Sequence, residues 1–447
     1  MLELKVLTEV VAGNICTECG TCAGICPTDA LPMRETPGGQ VLPSLIESKC
    51  IECGLCDLVC PQIELSKKYS EALGGPLEGP VLGAYLAEAT DQNVSREGQA
   101  GGLGRALVAY CLETGIVDGA VIVIDDPLVP MRPKAVITRD PAAVLGSARS
   151  KYCPIPVNDL ILEMMHFEGR LAFFGLSCHM QGLQLAMGRI RKLDQKVVLR
   201  LGLFCDRVLT YQAADFYARC TGVRPEEKIT YFDYRNKEKK GWYGEYRVKT
   251  DTGRDLSAPR TVKAGSRALF TPLHCWLCPD KANVLSDISI GDPHGVAKGP
   301  SVPSAILVRT AFAEEVLKAA EGAGRIRRAT IETTRLIRGQ SLEHNAKIAE
   351  LVGRQVVATG GLLPVFLRGG PAEQPGPRPM WVRLAAWWSV KSQTPAGVRL
   401  LSKLPTWEPA LWIWIRQRLV RRGERVLARL ERLVRTGRLR GASQPPT

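Results

Sequence analysis

Eight of the chain's fifteen cysteines lie in the first sixty residues and repeat one spacing: Cys16, Cys19, Cys22, Cys26-Pro27 and Cys50, Cys53, Cys56, Cys60-Pro61. The pattern C-x2-C-x2-C-x3-C-P sets three thiolates on different irons of one iron-sulfur cube and sends the fourth to a neighbouring cube. Cys16, Cys19, Cys22 and Cys60 are therefore expected to hold one [4Fe-4S] cluster, and Cys50, Cys53, Cys56 and Cys26 the other. A structural zinc site takes four ligands in two pairs, and a disulfide knot belongs to small oxidised domains. Neither describes eight thiols in two proline-terminated runs. The chemistry this implies is single-electron transfer.

The elements around these residues follow from composition and pattern. A two-[4Fe-4S] ferredoxin-like segment is expected over residues 1–75. With 447 residues and 45% hydrophobic content the chain can bury further cores. Met1 to Asn14 shows no basic start followed by an apolar core, so the expectation is a cytoplasmic protein with reduced or metal-bound thiols. Residues 76–368 read as a mixed α/β (α+β) domain. Gly102 to Glu113 has helical periodicity, and the apolar runs Gly119–Ile124, Arg170–Phe174 and Val197–Phe204 read as buried strands. Unusual residues follow two of them, Ser177-Cys178-His179 and Cys205-Asp206, where loops after strands build sites.

Charge is uneven. Residues 371–447 hold 15 Lys and Arg against 4 Asp and Glu, which is most of the net +14, together with six of the eight tryptophans. A Pro/Gly-rich stretch, residues 369–380, reads as a linker, and residues 381–447 as a basic helical tail. Within it Ile415, Leu419, Val426, Leu430, Leu433 and Val434 recur at helical steps among arginines, an amphipathic pattern. Such a helix suits a membrane interface or a partner subunit. No run reaches the roughly 18 apolar residues of a membrane span. No nucleic-acid-binding module accompanies the charge.

Motifs along the middle of the chain carry a family resemblance. They are Arg96-Glu-Gly-Gln99-Ala-Gly101-Gly102, Gly115-Ile-Val-Asp118, Gly146-Ser147-Ala-Arg-Ser-Lys151-Tyr152, Gly175-Leu-Ser-Cys178, Leu203-Phe-Cys205, Cys275-Trp-Leu-Cys278-Pro-Asp280 and Asp287-Ile-Ser-Ile-Gly-Asp292. In this order, from about residue 80 to 310, they resemble the coenzyme F-420 hydrogenase/dehydrogenase beta-subunit family. The resemblance implies an FAD-containing iron-sulfur oxidoreductase, and Cys178, Cys205, Cys275 and Cys278 match family cysteines expected to hold a third [4Fe-4S] cluster. Cys111, Cys153 and Cys220 suit the role of small core residues. Ser177 and Ala100 stand where the family commonly has Pro and Ser.

For the flavin, Gly101 and Gly102 open a helix whose free N–H groups favour a pyrophosphate. Gln99, Ser147, Lys151 and Tyr152 join the candidate set; the alternative for Ser147 and Lys151 is a helix cap and a solvated lysine. No G-x-G-x-x-G follows a strand, which disfavours a Rossmann nicotinamide site. His179, His274 and His294 lie nearby with no assigned role, and the catalytic set is left open. Arg235-Asn-Lys237-Glu-Lys239-Lys240 reads as a solvated loop or as a surface for an acidic ligand.

The expected reaction passes electrons from reduced coenzyme F-420 through FAD, which takes two and releases one at a time, to the clusters. Its setting is a redox complex with other subunits, on or near the inner face of a membrane. Two alternatives remain: a ferredoxin-driven reductase of a small organic or tetrapyrrole substrate, and a relay subunit without catalysis.

Overall fold

The computed structural model describes residues 3–404. The amphipathic helix expected between Trp412 and Arg440 lies outside the described residues.

A short hairpin, β1 (Met33–Glu35) with β2 (Val41–Pro43), joins the two cysteine runs. The main sheet takes β3 (Gly83–Ala89), β4 (Gly119–Ile124), β5 (Lys134–Thr138), β6 (Leu171–Gly175) and β7 (Val197–Leu203). A separate antiparallel sheet of three follows: β8 (Ile229–Asn236), β9 (Glu245–Thr250) and β10 (Asp255–Ala258). The chain then returns to the main sheet with β11 (Ile288–Gly291), β12 (Ser304–Val308) and β13 (Ile326–Thr330). The main order is β13-β3-β12-β11-β7-β6-β4-β5. Its centre, β11-β7-β6-β4, is parallel and its margins are antiparallel.

Central strands of such a sheet are covered on both faces, which is why they read as unbroken apolar runs. Side chains alternate between two cores: Ala120 and Ile122 of β4 pack with Leu103, Leu107 and Leu317, while Val121 packs with Phe173, Leu183 and Phe216. Cys178 and Cys205 follow the carboxyl ends of the parallel strands β6 and β7, the edge where open α/β sheets build sites.

A third core joins the cysteine-rich segment to helices near the end of the described residues. Val6, Val10, Cys16, Cys22, Cys56 and Cys60 pack with Trp276, Val352, Val382 and Ala386 from the helices Leu273–Leu277, Leu342–Ala358 and Met380–Lys391.

The cysteine-rich segment is pressed onto the sheet domain. The Asn158 N–H donates to the Cys19 carbonyl at 3.0 Å, and its amide donates to Thr21 Oγ1 at 2.8 Å and the His179 carbonyl at 2.9 Å. Glycines permit the approach, since a Cβ on Gly24 would stand 2.0 Å from the Asn158 carbonyl oxygen. Gly24→Ala is expected to cost about 1–3 kcal/mol by forcing the two apart. Thermal unfolding of the reconstituted protein reads this as a lowered Tm, and an unchanged Tm rules out a rigid junction here.

Candidate redox site

The repeated cysteine spacing produces a repeated backbone. Glu18 and Gly20 adopt φ of +60° and +84°, and at the matching places in the second run Glu52 and Gly54 adopt +54° and +70°. These left-handed residues curl each loop around its thiols before the one-turn helices Thr21–Gly24 and Leu55–Leu58. Cys16, Cys19, Cys22 and Cys60 line one cavity of about 290 Å³. Cys50, Cys53, Cys56 and Cys26 line another of about 330 Å³. The fourth cysteine of each run thus lies with the first three of the other.

Burial pushes the Cys56 and Cys60 thiols up to about 12 and lifts Cys16 and Cys22 well above the usual thiol range. Thiols so placed ionise only beside a compensating cation, which iron provides. Backbone N–H groups already point at sulfur: Glu18 to Cys16 Sγ at 3.5 Å and Ala30 to Cys26 Sγ at 3.3 Å. These residues fit two cubane clusters. One set is buried throughout; in the other, Cys53 is exposed and Ile51 at its rim is 62% exposed.

Cys178, Cys205, Cys275 and Cys278 also come together. Burial raises all four, Cys205 to about 12, and Cys178 is raised further by the charges of Cys19, Cys205, Cys278 and Cys275. The presence of Cys19 in that set puts this group beside the buried N-terminal one. Glu18 bridges the same gap: it accepts from the Val41 N–H at 2.6 Å, lies 3.9 Å from His274 Nδ1 and is pushed up to about 8 by burial.

The loops that present the four thiols are tied together. The Ser177 hydroxyl donates to the Asp280 carbonyl at 2.7 Å, and the Asn283 amide reaches the carbonyls of Gly175 and Leu203 at 3.1 and 3.3 Å. Serine at 177 therefore adds a link between the Cys178 and Cys278 loops. Buried polar atoms with no hydrogen-bond partner, Tyr69 Oη, Gln62 Nε2, Trp276 Nε1 and His274 Nδ1, belong to the residues around the cysteine groups. Cluster sulfurs would accept from them, so the donor set fits.

The flavin candidates divide. Gly101 and Gly102 hold φ of +60° and +64°, and Gly102 caps the helix Leu103–Glu113 with no side chain across its N–H groups. A Cβ on Gly102 would stand 2.3 Å from the Val94 carbonyl oxygen, so close packing alone also requires glycine there. Gln99 Nε2 is buried and has no partner. The Ser147 hydroxyl is turned back onto the Val144 carbonyl at 2.7 Å. Lys151 is buried against Asp125 at 3.3 Å and the Ala148 carbonyl at 2.7 Å, so the solvated-lysine alternative does not hold.

Tyr152 belongs to a cluster of cationic side chains of which sequence reading named Tyr152, the run 235–240 and Asp292 separately and Lys263 not at all. Its hydroxyl accepts from Arg235 at 3.1 Å, and Lys263 Nζ stands 2.9 Å from its ring centroid. Arg235 is 4% exposed and pairs with Asp292 at 2.8 Å, while one of its guanidinium nitrogens has no partner. The run 235–240 is therefore not a solvated loop at its start: Arg235 and Asn236 end β8 and are buried. Burial, together with Arg260, Arg235 and Arg267, holds the Lys263 ammonium well below the usual lysine range. Burial and Arg235 bring Lys237, which donates to the Gly98 carbonyl, down to about 8. Trp242, Tyr243 and His294 stack on one another beside this cluster, with ring centroids 3.7 Å apart for the first pair and 5.9 Å for Tyr243 and His294, and Arg260 lies over the Tyr243 ring. Lys263 is also among the charges acting on Cys205, so the cluster borders the third cysteine group.

Comparison with known families places this combination of clustered thiols, cationic side chains and stacked rings. Residues 84–161 and 168–334 match the N-terminal and C-terminal models of coenzyme F-420 hydrogenase/dehydrogenase, beta subunit, and residues 15–63 match a 4Fe-4S dicluster domain. The chain belongs to the coenzyme F-420 hydrogenase/dehydrogenase beta-subunit family. It is an oxidoreductase of that family carrying an iron-sulfur segment.

Coenzyme F-420 hydrogenase subunit beta of Methanosarcina barkeri is 26% identical over 61% of this chain and 94% of its own length. Coenzyme F-420-dependent sulfite reductase of Methanocaldococcus jannaschii is 26% identical over 72% of this chain, which spans about half of that enzyme. A chain of the F-420-reducing nickel-iron hydrogenase complex of Methanosarcina barkeri superposes with a TM-score of 0.53 at 22% identity, over 65% of this chain and 99% of that one, which shows a shared fold.

Tyr69 illustrates what the family motifs do not contain. It is 2% exposed, has no hydrogen-bond partner, and feels the charges of Asp280, Cys278 and Cys178, with Gln181 as its polar neighbour. A hydroxyl donating to a cluster sulfur stabilises the more negative, reduced state. Tyr69→Phe is expected to lower the midpoint potential of one cluster by an amount on the order of tens of millivolts, the equivalent of about 1 kcal/mol for one hydrogen bond. Redox titration followed by electron paramagnetic resonance checks this; identical potentials would assign Tyr69 to packing alone.

Proposed function

We propose that the chain is the electron-transfer module of a redox complex, moving electrons between reduced coenzyme F-420 and one-electron carriers by way of FAD and three [4Fe-4S] clusters. The observation that supports this reading is the order of sites. The cationic cluster borders Cys205, Cys178 lies beside Cys19, and the last cysteine group opens to solvent at Cys53. FAD bound at the cationic cluster would supply the conversion between two-electron and one-electron chemistry.

The chain's own residues bind and orient. Gly101 and Gly102 offer free N–H groups at a helix start, with Gln99, Arg105 and Lys237 alongside for a pyrophosphate. Lys263, Arg260 and Arg235 hold further negative charge, and the stack of Trp242, Tyr243 and His294 beside them adds an aromatic edge for a heteroaromatic group. No side chain is assigned a proton-transfer role. The cationic segment beyond residue 369 serves as a docking element, on a partner subunit or at the inner face of a membrane.

The test is anaerobic reconstitution, quantification of iron and FAD, and mixing with reduced coenzyme F-420. Deazaflavin oxidation coupled to cluster bleaching is the expected result. A preparation that takes up FAD yet is bleached by reduced ferredoxin alone supports the reductase reading, and one that takes up no FAD supports the relay reading.

A further inference from the structure

We infer that the outer face of the helices Met380–Lys391 and Pro395–Ser402 seats on an anionic lipid surface. This deepens the docking role proposed above and rests on it.

On the first helix Val382, Ala386 and Ser389 are buried, and Val382 and Ala386 pack into the core that contains Cys16, Cys22, Cys56 and Cys60. The opposite face is bare. Met380 is 73% exposed, and Leu384 and Trp387 are each 55% exposed, one above another at helical steps of four and three; Leu400 of the next helix is 54% exposed. Adjacent tryptophans have opposite roles. Trp388 turns inward and donates its indole N–H to the Leu269 carbonyl at 2.9 Å, while Trp387 faces solvent.

The charge decides what covers this face. Between residues 380 and 400 every exposed residue is apolar or cationic, with Arg383, Lys391 and Arg399 flanking the hydrophobes. No Asp or Glu occurs between Glu373 and Glu408. A protein partner is normally met with mixed charge and directional polar groups around an apolar centre, and this face offers none of the acidic or uncharged polar kind. Apolar side chains that enter the acyl boundary, a tryptophan at headgroup level and a rim of cations matched to lipid phosphate form the interfacial pattern. Seating this helix brings the cluster-bearing core directly behind the surface.

The experiment is flotation of the full-length reconstituted protein with vesicles of mixed phosphatidylglycerol and phosphatidylcholine, and with vesicles of phosphatidylcholine alone. The wild type is expected to float with the anionic vesicles and to be released by salt. Leu384→Glu with Trp387→Glu is expected to lower the bound fraction at least about tenfold, with iron content and coenzyme F-420 oxidation in solution unchanged. Leu384→Ala with Trp387→Ala, which burdens folding less, should weaken binding in the same direction. A wild type that stays at the bottom, that floats equally on phosphatidylcholine, or whose double variants float as it does overturns the inference. Failure of deazaflavin oxidation with flotation intact counts instead against the redox reading.

Discussion

On the proposed function, a chain with both Cys275 and Cys278 changed to serine is expected to take up FAD, to lose about four of about twelve irons, and to pass no electrons from reduced coenzyme F-420 to the remaining clusters. Both residues belong to one short element, the helix Leu273–Leu277 and the residue that follows it, so their loss leaves Cys178 and Cys205 as an incomplete pair. The core that holds the N-terminal cysteines uses Leu273, Trp276 and Leu277 of this helix but neither sulfur, so the other two groups should survive. The double change matters because a single serine can still offer an oxygen to iron. Iron and sulfide analysis gives the first readout, and stopped-flow bleaching at the cluster bands gives the second. Unchanged iron content with an undiminished rate would make these four cysteines structural, and the proposed route would have to bypass them.

What the sequence made legible depended on how far apart the cooperating residues lie. The cysteine runs were readable because all four thiols of a run sit within eleven residues and the proline marks the turn, and even the exchange of Cys26 and Cys60 follows from that spacing. Strands β4 and β6 were readable because burial on both faces leaves unbroken apolar runs, and β7 because its one charge, Arg200, is flanked by apolar residues and paired with Asp287 at 2.8 Å. The cationic cluster was legible only in pieces. Tyr152, Arg235, Lys263 and Asp292 come from a loop, the end of β8, a short helix and the loop after β11; three of them were named for separate reasons, nothing in the sequence joined them, and Lys263 looks like an ordinary surface charge. Burial makes Lys263 and Arg235 unusual, and burial comes from the three-stranded sheet, which no motif announced. Tyr69 and Gln62 escaped notice for the same reason: an unpartnered polar atom can be recognised only once its surroundings are known. The dissection of Ser147 and Lys151 runs the other way, since both were singled out by position in a motif, and their polar groups are committed to Val144, Asp125 and Ala148.

Cys26→Ala and Cys60→Ala, which leave iron no oxygen in place of the sulfur, should give opposite phenotypes although both residues occupy the same place in their runs. Cys60 completes the buried cavity with Cys16, Cys19 and Cys22, and Cys19 acts on Cys178. Its loss is expected to damage the inner cluster, so that electrons reaching the third group go no further. Cys26 completes the outer cavity with Cys50, Cys53 and Cys56, where Cys53 meets solvent. Its loss should leave the inner cluster reducible while transfer to an external one-electron acceptor falls away. Electron paramagnetic resonance of the reduced protein distinguishes the two, because close clusters split each other's signals. After Cys26→Ala the surviving inner signal should still show coupling to the third group beside Cys19, and after Cys60→Ala the surviving outer signal should be simple. The reverse assignment would mean that each run closes its own cluster, and the inner-to-outer order on which the direction of flow depends would be lost. Since the cavities alone set this expectation, the pair of substitutions tests the geometry independently of any donor, acceptor or flavin.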